Sequence, residues 1–252
     1  MNSIKVLSLC ILVLFFSGCM PKQEDVKDAF QSNSANIIKK DYKKIQKHLL
    51  SFKEKLDKRN PQSYSKNLSP RIYRLINDLE KDFLLKYKKS TLSNYKDYLQ
   101  IAFSKDNIVS RNDYLILGLY YLIYDSYELD KGHRVIALEY DKEKLGKLHK
   151  NLQILKWKLK VDKDVFGNYL FLTWQNNWQI ELAKKSKDNE QISYEKIAEL
   201  KFIKENKESV FDHSNFSFEI LLTQMIDNVE NSLTALGEEP KELTVKAMFL
   251  FL

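Results

Sequence analysis

Apolar residues recur at spacings of three and four along most of the chain, which is the pattern of amphipathic helices. The first such series consists of Ile38, Tyr42, Ile45, Leu49, Phe52 and Leu56. A leucine series runs from Leu145 to Leu159, and a third series runs from Phe218 to Leu236. Glycine and proline, which interrupt helices, number only six and four. We therefore predict an all-α fold, an irregular bundle of about eight helices forming one domain over residues 35–252.

One segment, from Tyr114 to Tyr124, is apolar on every side. A helix of this kind belongs at the centre of a bundle, because it has no polar face to turn toward water. Its eleven residues are too few for a membrane span, which takes about 20. Gly118 lies in the middle of this segment and indicates that a neighbouring helix approaches closely there.

Residues with capping side chains predict where the helices begin. The expected caps are Ser34, Ser69, Ser93, Ser110, Asp141 and Ser193. Gly237 is expected to follow the end of the third apolar series, because glycine suits the position after a helix. Two further helices are expected, one from Tyr169 to Lys185 and one from Pro240 onward.

Residues 155–174 allow two structures. The leucine series continues into this stretch and favours a helix, whereas the alternation of apolar and polar residues up to Asp162 is typical of a strand. With a turn at Asp164, Gly167 and Asn168, the stretch would form a β-hairpin. We favour the helix and keep the hairpin as the alternative.

The N-terminus has a different pattern. A short basic stretch, Met1–Lys5, precedes eleven residues that are apolar except for one serine, and the small residues Ser17 and Gly18 follow them. A charged start, an apolar run of this length and small residues at its end are typical of a signal peptide. The run falls well short of the length that a membrane-spanning helix needs.

The residues Phe16-Ser17-Gly18-Cys19 resemble the lipobox of bacterial lipoproteins, in which an apolar residue and two small residues precede the modified cysteine. Phe16 stands where the lipobox usually has Leu, Val or Ile. The resemblance implies that residues 1–18 are removed and that Cys19 is acylated, so that residues 19–34 become a lipidated polar tether. An ordinary secreted protein and an uncleaved N-terminal anchor are the alternatives.

A lipidated Cys19 implies that the mature chain lies outside the cytoplasm. Met20, rather than aspartate, follows this cysteine, which in the resembled family favours the periplasmic side of the outer membrane over the inner membrane. The other cysteine, Cys10, leaves with the signal peptide. The folded domain is therefore expected to contain no thiol for a disulfide, a metal site or a nucleophile.

Positive charge is concentrated in one segment. The chain has a formal net charge of +7, and residues 39–59 contain nine lysines or arginines against three acids. Beside a lipid anchor, such a segment favours contact with anionic lipid headgroups, at roughly 1 kcal/mol for each basic residue. The alternative, which is the commoner meaning of a charge run, is a helix face in water. Nucleic acid is not an expected partner of an exported chain.

Catalytic and cofactor motifs are absent from the sequence, and no histidine has a second metal ligand at helical spacing. We therefore expect neither a metal nor a cofactor. The densest polar cluster consists of Asp125, Glu128, His133 and Arg134. A carboxylate beside an imidazole suits proton transfer. We favour a surface connector here, because nothing in the sequence brings a nucleophile beside these groups.

A second cluster combines two tryptophans with amides. It consists of Trp174, Gln175, Asn177 and Trp178, and a spacing of four puts both rings on one face of a helix. Aromatic rings with neighbouring amides suit the flat face of a sugar in an envelope glycan. The alternative, which we favour, is a pair of core tryptophans whose N–H groups are satisfied by the amides.

These features together predict a non-enzymatic protein. We expect a membrane-anchored scaffold, adaptor or assembly factor of the bacterial envelope that contacts an envelope protein through its helical surface. A binding module for an envelope glycan or lipid, using Trp174 and Trp178, is the alternative. A hydrolase centred on Asp125 and His133 is the least favoured hypothesis.

Overall fold

The core is built around helix α1 (Gln23–Arg59), which runs for 37 residues. The computed structural model describes residues 23–81, 83–132, 137–173, 193–206 and 217–240. All six members of the predicted apolar series on α1 are at most 4% exposed. The predicted inward face of this helix is therefore confirmed.

The remaining elements are also mainly helical. The other α-helices of the described residues are α2 (Ser69–Asp78), α3 (Tyr95–Ala102), α4 (Arg111–Ser126), α5 (Lys142–Val161), α6 (Tyr194–Ala198), α7 (Lys201–Asn206) and α8 (Ser217–Ala235). Two short 3-10 helices, Leu129–Lys131 and Ala137–Glu139, lie between α4 and α5. The sheet found among the described residues is one antiparallel pair of strands, β1 (Lys86–Tyr87) and β2 (Ser90–Thr91), between α2 and α3. The predicted all-α multi-helix fold is confirmed.

Helix α1 packs most extensively along α8, and it also contacts α4, α2 and the second 3-10 helix. The rings of Phe52 and Phe218 join α1 to α8 edge to face, with their centroids 5.5 Å apart. Helix α3 packs on α4, and α5 packs on both α4 and α8. Helix α4 is consequently buried along 14 of its 16 residues, as its apolar sequence predicts. Within the described residues, no helix combines the length and the apolarity that crossing a membrane requires.

Helix α3 approaches α4 closely at Gly118, as predicted. A Cβ atom at this position would lie 2.7 Å from Leu99 Cδ2 and 3.2 Å from the backbone nitrogen of Leu99. Side chains do not pack at such distances, so any larger residue here forces α3 or the Leu99 side chain to move.

Helix α1 begins earlier than predicted, at Gln23, so the expected start at Ser34 is wrong. Of the predicted tether over residues 19–34, the residues from Gln23 onward are helical. The polar composition misled the prediction, because a polar segment continues a helix readily when the next turns are packed. Gln31 already contacts the body of the protein, since its Oε1 accepts a hydrogen bond from the Leu138 N–H at 3.2 Å.

Two predicted caps and one predicted helix end are confirmed. The side chains of Asp141 and Ser193 accept backbone hydrogen bonds at the starts of α5 and α6. Gly237 follows α8 with a φ of 76°, a conformation that glycine adopts without strain. The single helix predicted after Ser193 is divided into α6 and α7.

Three other predicted capping residues do not cap their helices with a side-chain hydrogen bond. Asn94, not Ser93, accepts the N–H hydrogen bonds at the start of α3. Ser69 is the first residue of α2 and not its cap, although the proline after it lies in the first turn as expected. Ser110 precedes α4 in a left-handed conformation with φ of 58° and makes no side-chain capping bond.

The choice between helix and hairpin at residues 155–174 is resolved in two parts. Helix α5 extends to Val161 and buries Leu155 and Leu159, which confirms the helix for the leucine series. The predicted turn follows it, with the Gly167 N–H donating to the Asp164 carbonyl at 3.1 Å. The alternation of polar and apolar residues from Leu155 to Asp162 therefore belongs to the last turns of α5 and not to a strand.

The helix predicted from Tyr169 does not begin there. Tyr169 forms one antiparallel bridge with Lys163, and residues 169–173 are not helical. The turn returns the chain toward α5, and residues 170–173 continue it in bends and irregular structure. The remainder of that predicted helix, and the one predicted after Pro240, lie outside the described residues.

Candidate functional site

The described residues include only some of the predicted site residues. Those outside them are Cys19, His133, Arg134, Trp174, Gln175, Asn177 and Trp178. Asp125 and Glu128 are described, at the end of α4 and just after it. The contacts of these two carboxylates therefore show whether the acids of the polar cluster are free to transfer protons or are held in ion pairs.

Both acids are bound by lysines. The Asp125 carboxylate lies 3.2 Å from Lys81 Nζ, and both of these side chains are well exposed. The Glu128 carboxylate is buried and lies 2.9 Å from Lys131 Nζ and 2.6 Å from Lys144 Nζ. Because Lys144 belongs to α5, Glu128 joins the end of α4 to the next long helix.

These contacts remove Glu128 from acid–base chemistry near neutral pH. Hydrogen bonds from Lys131 and Lys144 lower its pKa to about 2, from an ordinary value of 4.5. A carboxylate with so low a pKa remains ionised and holds no proton to donate near pH 7. The arrangement supports the predicted surface connector over the proton-transfer pair.

Replacing Glu128 by glutamine removes the negative charge that binds Lys131 and Lys144, and it is expected to lower the free energy of unfolding by about 1–2 kcal/mol at pH 7. The loss is modest because these lysines are half exposed, so solvent screens the two ion pairs. The depressed pKa means that this stabilisation is complete above pH 4.5 and is lost as the pH falls toward about 2. Urea denaturation at pH 7 and pH 3 measures it, with the exposed Asp130→Asn as the control. An equal loss at both pH values would contradict the ion-pair explanation.

A groove of about 430 Å³ opens beside this cluster. The lysines that line it are Lys81, Lys131, Lys144 and Lys147. Each lysine Nζ lies within 4.0 Å of a carboxylate oxygen of this chain. The groove is therefore lined by lysines that already form ion pairs, together with the acids Asp125, Glu128 and Asp130.

The exposed side of α1 carries a different arrangement of charge. We call Lys40, Lys43, Lys44 and Lys47 the lysine face. All four side chains are exposed, and their spacing puts them on the side of α1 that is opposite its buried apolar series. Lys44 lies 3.2 Å from Asp41, whereas the other three form no ion pair with any residue that the structure describes.

One lysine of the basic segment is buried, contrary to the prediction of a wholly exposed or lipid-facing run. Lys53 has no solvent exposure, and its Nζ lies 2.5 Å from Asp57 Oδ2 and 4.0 Å from Asp113 Oδ1. The rings of Tyr73 and Tyr64 lie 5.0 Å and 5.5 Å from the same nitrogen. One ammonium group is thus enclosed with two carboxylates and two aromatic rings.

Hydrogen bonds connect this buried cluster to three parts of the fold. Asn112 at the start of α4 donates to Asp57 Oδ1 of α1 at 3.1 Å. Asp113 Oδ2 accepts from the Ser65 N–H at 2.8 Å, and the Asn112 N–H donates to the Ser63 carbonyl at 2.8 Å. The cluster therefore ties the loop between α1 and α2 to the beginning of the central helix.

The protonation of the cluster follows from its charges. Burial raises the pKa of Asp113 to about 6, against smaller opposing contributions from the Ser65 N–H and Lys53. One lysine cannot neutralise two buried carboxylates, so the more deeply buried one binds a proton readily. Lys53, Asp57, Asn112 and Asp113 are each at most 7% exposed, which makes this a structural cluster closed to ligands from solvent.

The sequence does not predict this cluster. Lys53 belongs to the basic segment 39–59, whose composition predicts a charged outer face. One signal was present: Asn112 and Asp113 are polar residues directly before an otherwise apolar helix, and such residues become buried with it. The partner on α1 was not predictable, because the pattern of one helix does not give its neighbour.

Within the ranges described, no group of three or more histidine, cysteine, aspartate or glutamate residues is arranged to hold a metal ion. Comparison of the chain with protein-family models, curated proteins and solved structures finds no match.

Proposed function

We propose that this protein is a bacterial lipoprotein, anchored to the cell envelope through Cys19, that acts as a non-enzymatic scaffold, adaptor or assembly factor. The signal-peptide pattern and the lipobox-like residues support export and anchoring. The ion pairs of Asp125 and Glu128 support a role in binding over catalysis. Met20 after the cysteine supports the periplasmic side of the outer membrane as its location.

The observation that carries this proposal is the short interval between Cys19 and helix α1. Only Met20, Pro21 and Lys22 separate Cys19 from the first residue of α1. Fully extended, these residues and their flanking bonds span roughly 10–14 Å. A lipid on Cys19 would therefore hold the N-terminal end of α1 beside the bilayer. This geometry suits a protein that presents a fixed surface at a membrane.

Replacing Cys19 by alanine is expected to abolish lipid attachment, because acylation requires the thiol. The variant should accumulate as unprocessed precursor or as soluble protein. Metabolic labelling with a clickable fatty acid, followed by membrane fractionation, measures both effects. The matched control is Cys10→Ala, which removes the other cysteine from within the apolar run and should keep the label. Lipid label on the Cys19 variant would refute the anchor.

The adaptor role is tested separately, by crosslinking in intact cells followed by detergent solubilisation and mass spectrometry. A protein recovered in stoichiometric amount, and absent when the chain is deleted, would support an adaptor. Its crosslinked positions would identify the contacting helices. Recovery of the lipidated chain with no protein partner would argue against this role.

A binding module for an envelope glycan or lipid is the second candidate. The spacing of Trp174 and Trp178 supports it, and the chain that leads to them is held firmly. Asn60 accepts a hydrogen bond from the Leu172 N–H at 2.9 Å and donates to the Leu172 carbonyl at 3.1 Å. Saturable binding of purified protein to isolated peptidoglycan, lost in Trp178→Ala without loss of stability, would favour this candidate over the adaptor.

A further inference from the structure

Along its own stretch of α1, the lysine face has no exposed acid to balance it. Between Asp28 and Glu54 the sequence contains a single acid, Asp41. Asp41 is only 2% exposed and is already bonded to Lys44. The surface of this part of α1 therefore presents four ammonium groups and no carboxylate, over a length of roughly 10 Å along the helix axis.

The next turns of the same helix have the usual mixture of charges. Lys58 Nζ lies 2.6 Å from Glu54 Oε1, and both side chains are exposed. An ordinary solvated helix face mixes charges in this way. Ile37, which is 37% exposed, lies on the same side of α1 as Lys40 and Lys44. The lysine face of α1 thus carries positive charge without an exposed acid of its own, next to one exposed apolar side chain. Basic residues held beside a membrane surface favour contact with anionic headgroups.

We infer that the lysine face of α1 binds the surface of an anionic phospholipid membrane, with α1 lying along the bilayer. The partner is identified by charge complementarity, because compact ammonium groups in a row fit a field of lipid phosphates. The choice of a membrane over another polyanion rests on the proposed lipid anchor at Cys19. This inference deepens the proposed function by giving the orientation of the domain.

The geometry excludes an upright helix as the bound form. Lys40 lies 17 residues after Gln23, or about 25 Å along the axis, and Lys47 lies about 36 Å along it. Charges at such heights are screened from the headgroups, because the Debye length is about 8 Å at physiological salt. Only a helix lying along the surface brings the lysines within reach. Helices α4 and α8, which pack on the buried side of α1, then face away from the membrane.

The test uses the chain from residue 19 onward with Cys19→Ser, so that binding does not depend on the lipid. Co-sedimentation with vesicles of phosphatidylglycerol and phosphatidylcholine is compared with vesicles of phosphatidylcholine alone. Binding is expected only to the anionic vesicles. Replacing Lys40, Lys43 and Lys47 by glutamine is expected to weaken it about 100-fold, at roughly five-fold for each lysine. Lys44 is retained because it is bonded to Asp41.

The matched control replaces Lys86, Lys88 and Lys89 of the β1–β2 hairpin, which are also exposed, by glutamine. It removes the same net charge and should change binding little. Equal weakening by both triple variants, binding that ignores headgroup charge, or no vesicle binding would each overturn the inference. Because this chain has no acyl group, failure here is distinguishable from failure of lipidation, which the fatty-acid label on Cys19 reports.

Discussion

Replacing Lys53 by methionine is expected to lower the free energy of unfolding by about 3–5 kcal/mol at neutral pH. Methionine fills a similar volume, but it removes the cation that lies 2.5 Å from Asp57 and 4.0 Å from Asp113. Both carboxylates then stay buried without a counter-charge, and that arrangement costs more than the pair itself contributes. Guanidinium denaturation of the purified variant measures the loss.

Two variants serve as controls for this prediction. Lys47→Met removes an exposed lysine from the same helix and should change the free energy of unfolding by less than about 0.5 kcal/mol. Asp113→Asn removes the surplus negative charge and leaves Lys53 with Asp57 as a neutral pair, so it should cost far less than Lys53→Met. A Lys53→Met protein as stable as Lys47→Met would show that the buried charges do not depend on each other.

The pH dependence gives a second signature of the cluster. The pKa of Asp113 is raised to about 6 from an ordinary 3.8, so its ionised form is the one that the fold disfavours. This group therefore lowers stability above pH 6 and stops doing so as the pH falls through that value toward 3.8. The loss caused by Lys53→Met should shrink over the same interval, because protonation neutralises Asp113.

Replacing Gly118 by leucine is expected to lower the free energy of unfolding by about 3 kcal/mol. The new Cβ alone would lie 2.7 Å from Leu99 Cδ2, and the Leu99 backbone nitrogen, 3.2 Å away, limits how far α3 can yield. The intrinsic preference of leucine over glycine in a helix offsets only about 1 kcal/mol of this loss. Thermal or urea unfolding measures the net change in the free energy of unfolding.

Gly146 of α5 is the matched control for Gly118. Both glycines lie inside helices, but no atom of another described element lies within 4 Å of a Cβ placed on Gly146. Gly146→Leu should therefore be neutral or stabilise the protein by up to about 1 kcal/mol. Combining Gly118→Leu with Leu99→Ala should recover part of the loss. If both glycine variants destabilise equally, close approach of α3 is not the cause.

The sequence predicts the buried face of a helix wherever the spacing of apolar residues within that helix is enough to determine it. The series from Ile38 to Leu56 and from Leu145 to Leu159 have the predicted buried faces, because spacing alone determines which side of a helix is apolar. Gly118 was predictable for a related reason, since a glycine inside an apolar helix has few uses other than close packing. Nothing in these patterns depended on knowing the neighbouring elements.

The features that were missed depend on contacts between distant segments. Lys53 resembles its surface neighbours in sequence, and only the arrival of α4 encloses it with Asp113. The contact between Gln31 and Leu138, which lie more than a hundred residues apart, was likewise not predictable from the pattern of α1. The short hairpin around Lys88 was missed as well, since two residues on each side are too few for a period to appear.

The packing of α1 against α8 has a consequence for the order in which the chain folds. Phe52 meets Phe218 across a separation of 166 residues, and the core of the bundle is closed by this distant partner. A chain is synthesised from its N-terminal end, so α1 is complete long before α8 has been made. Until then the apolar series of α1 lacks its main covering helix, and the bundle completes its core only after most of the chain has been synthesised.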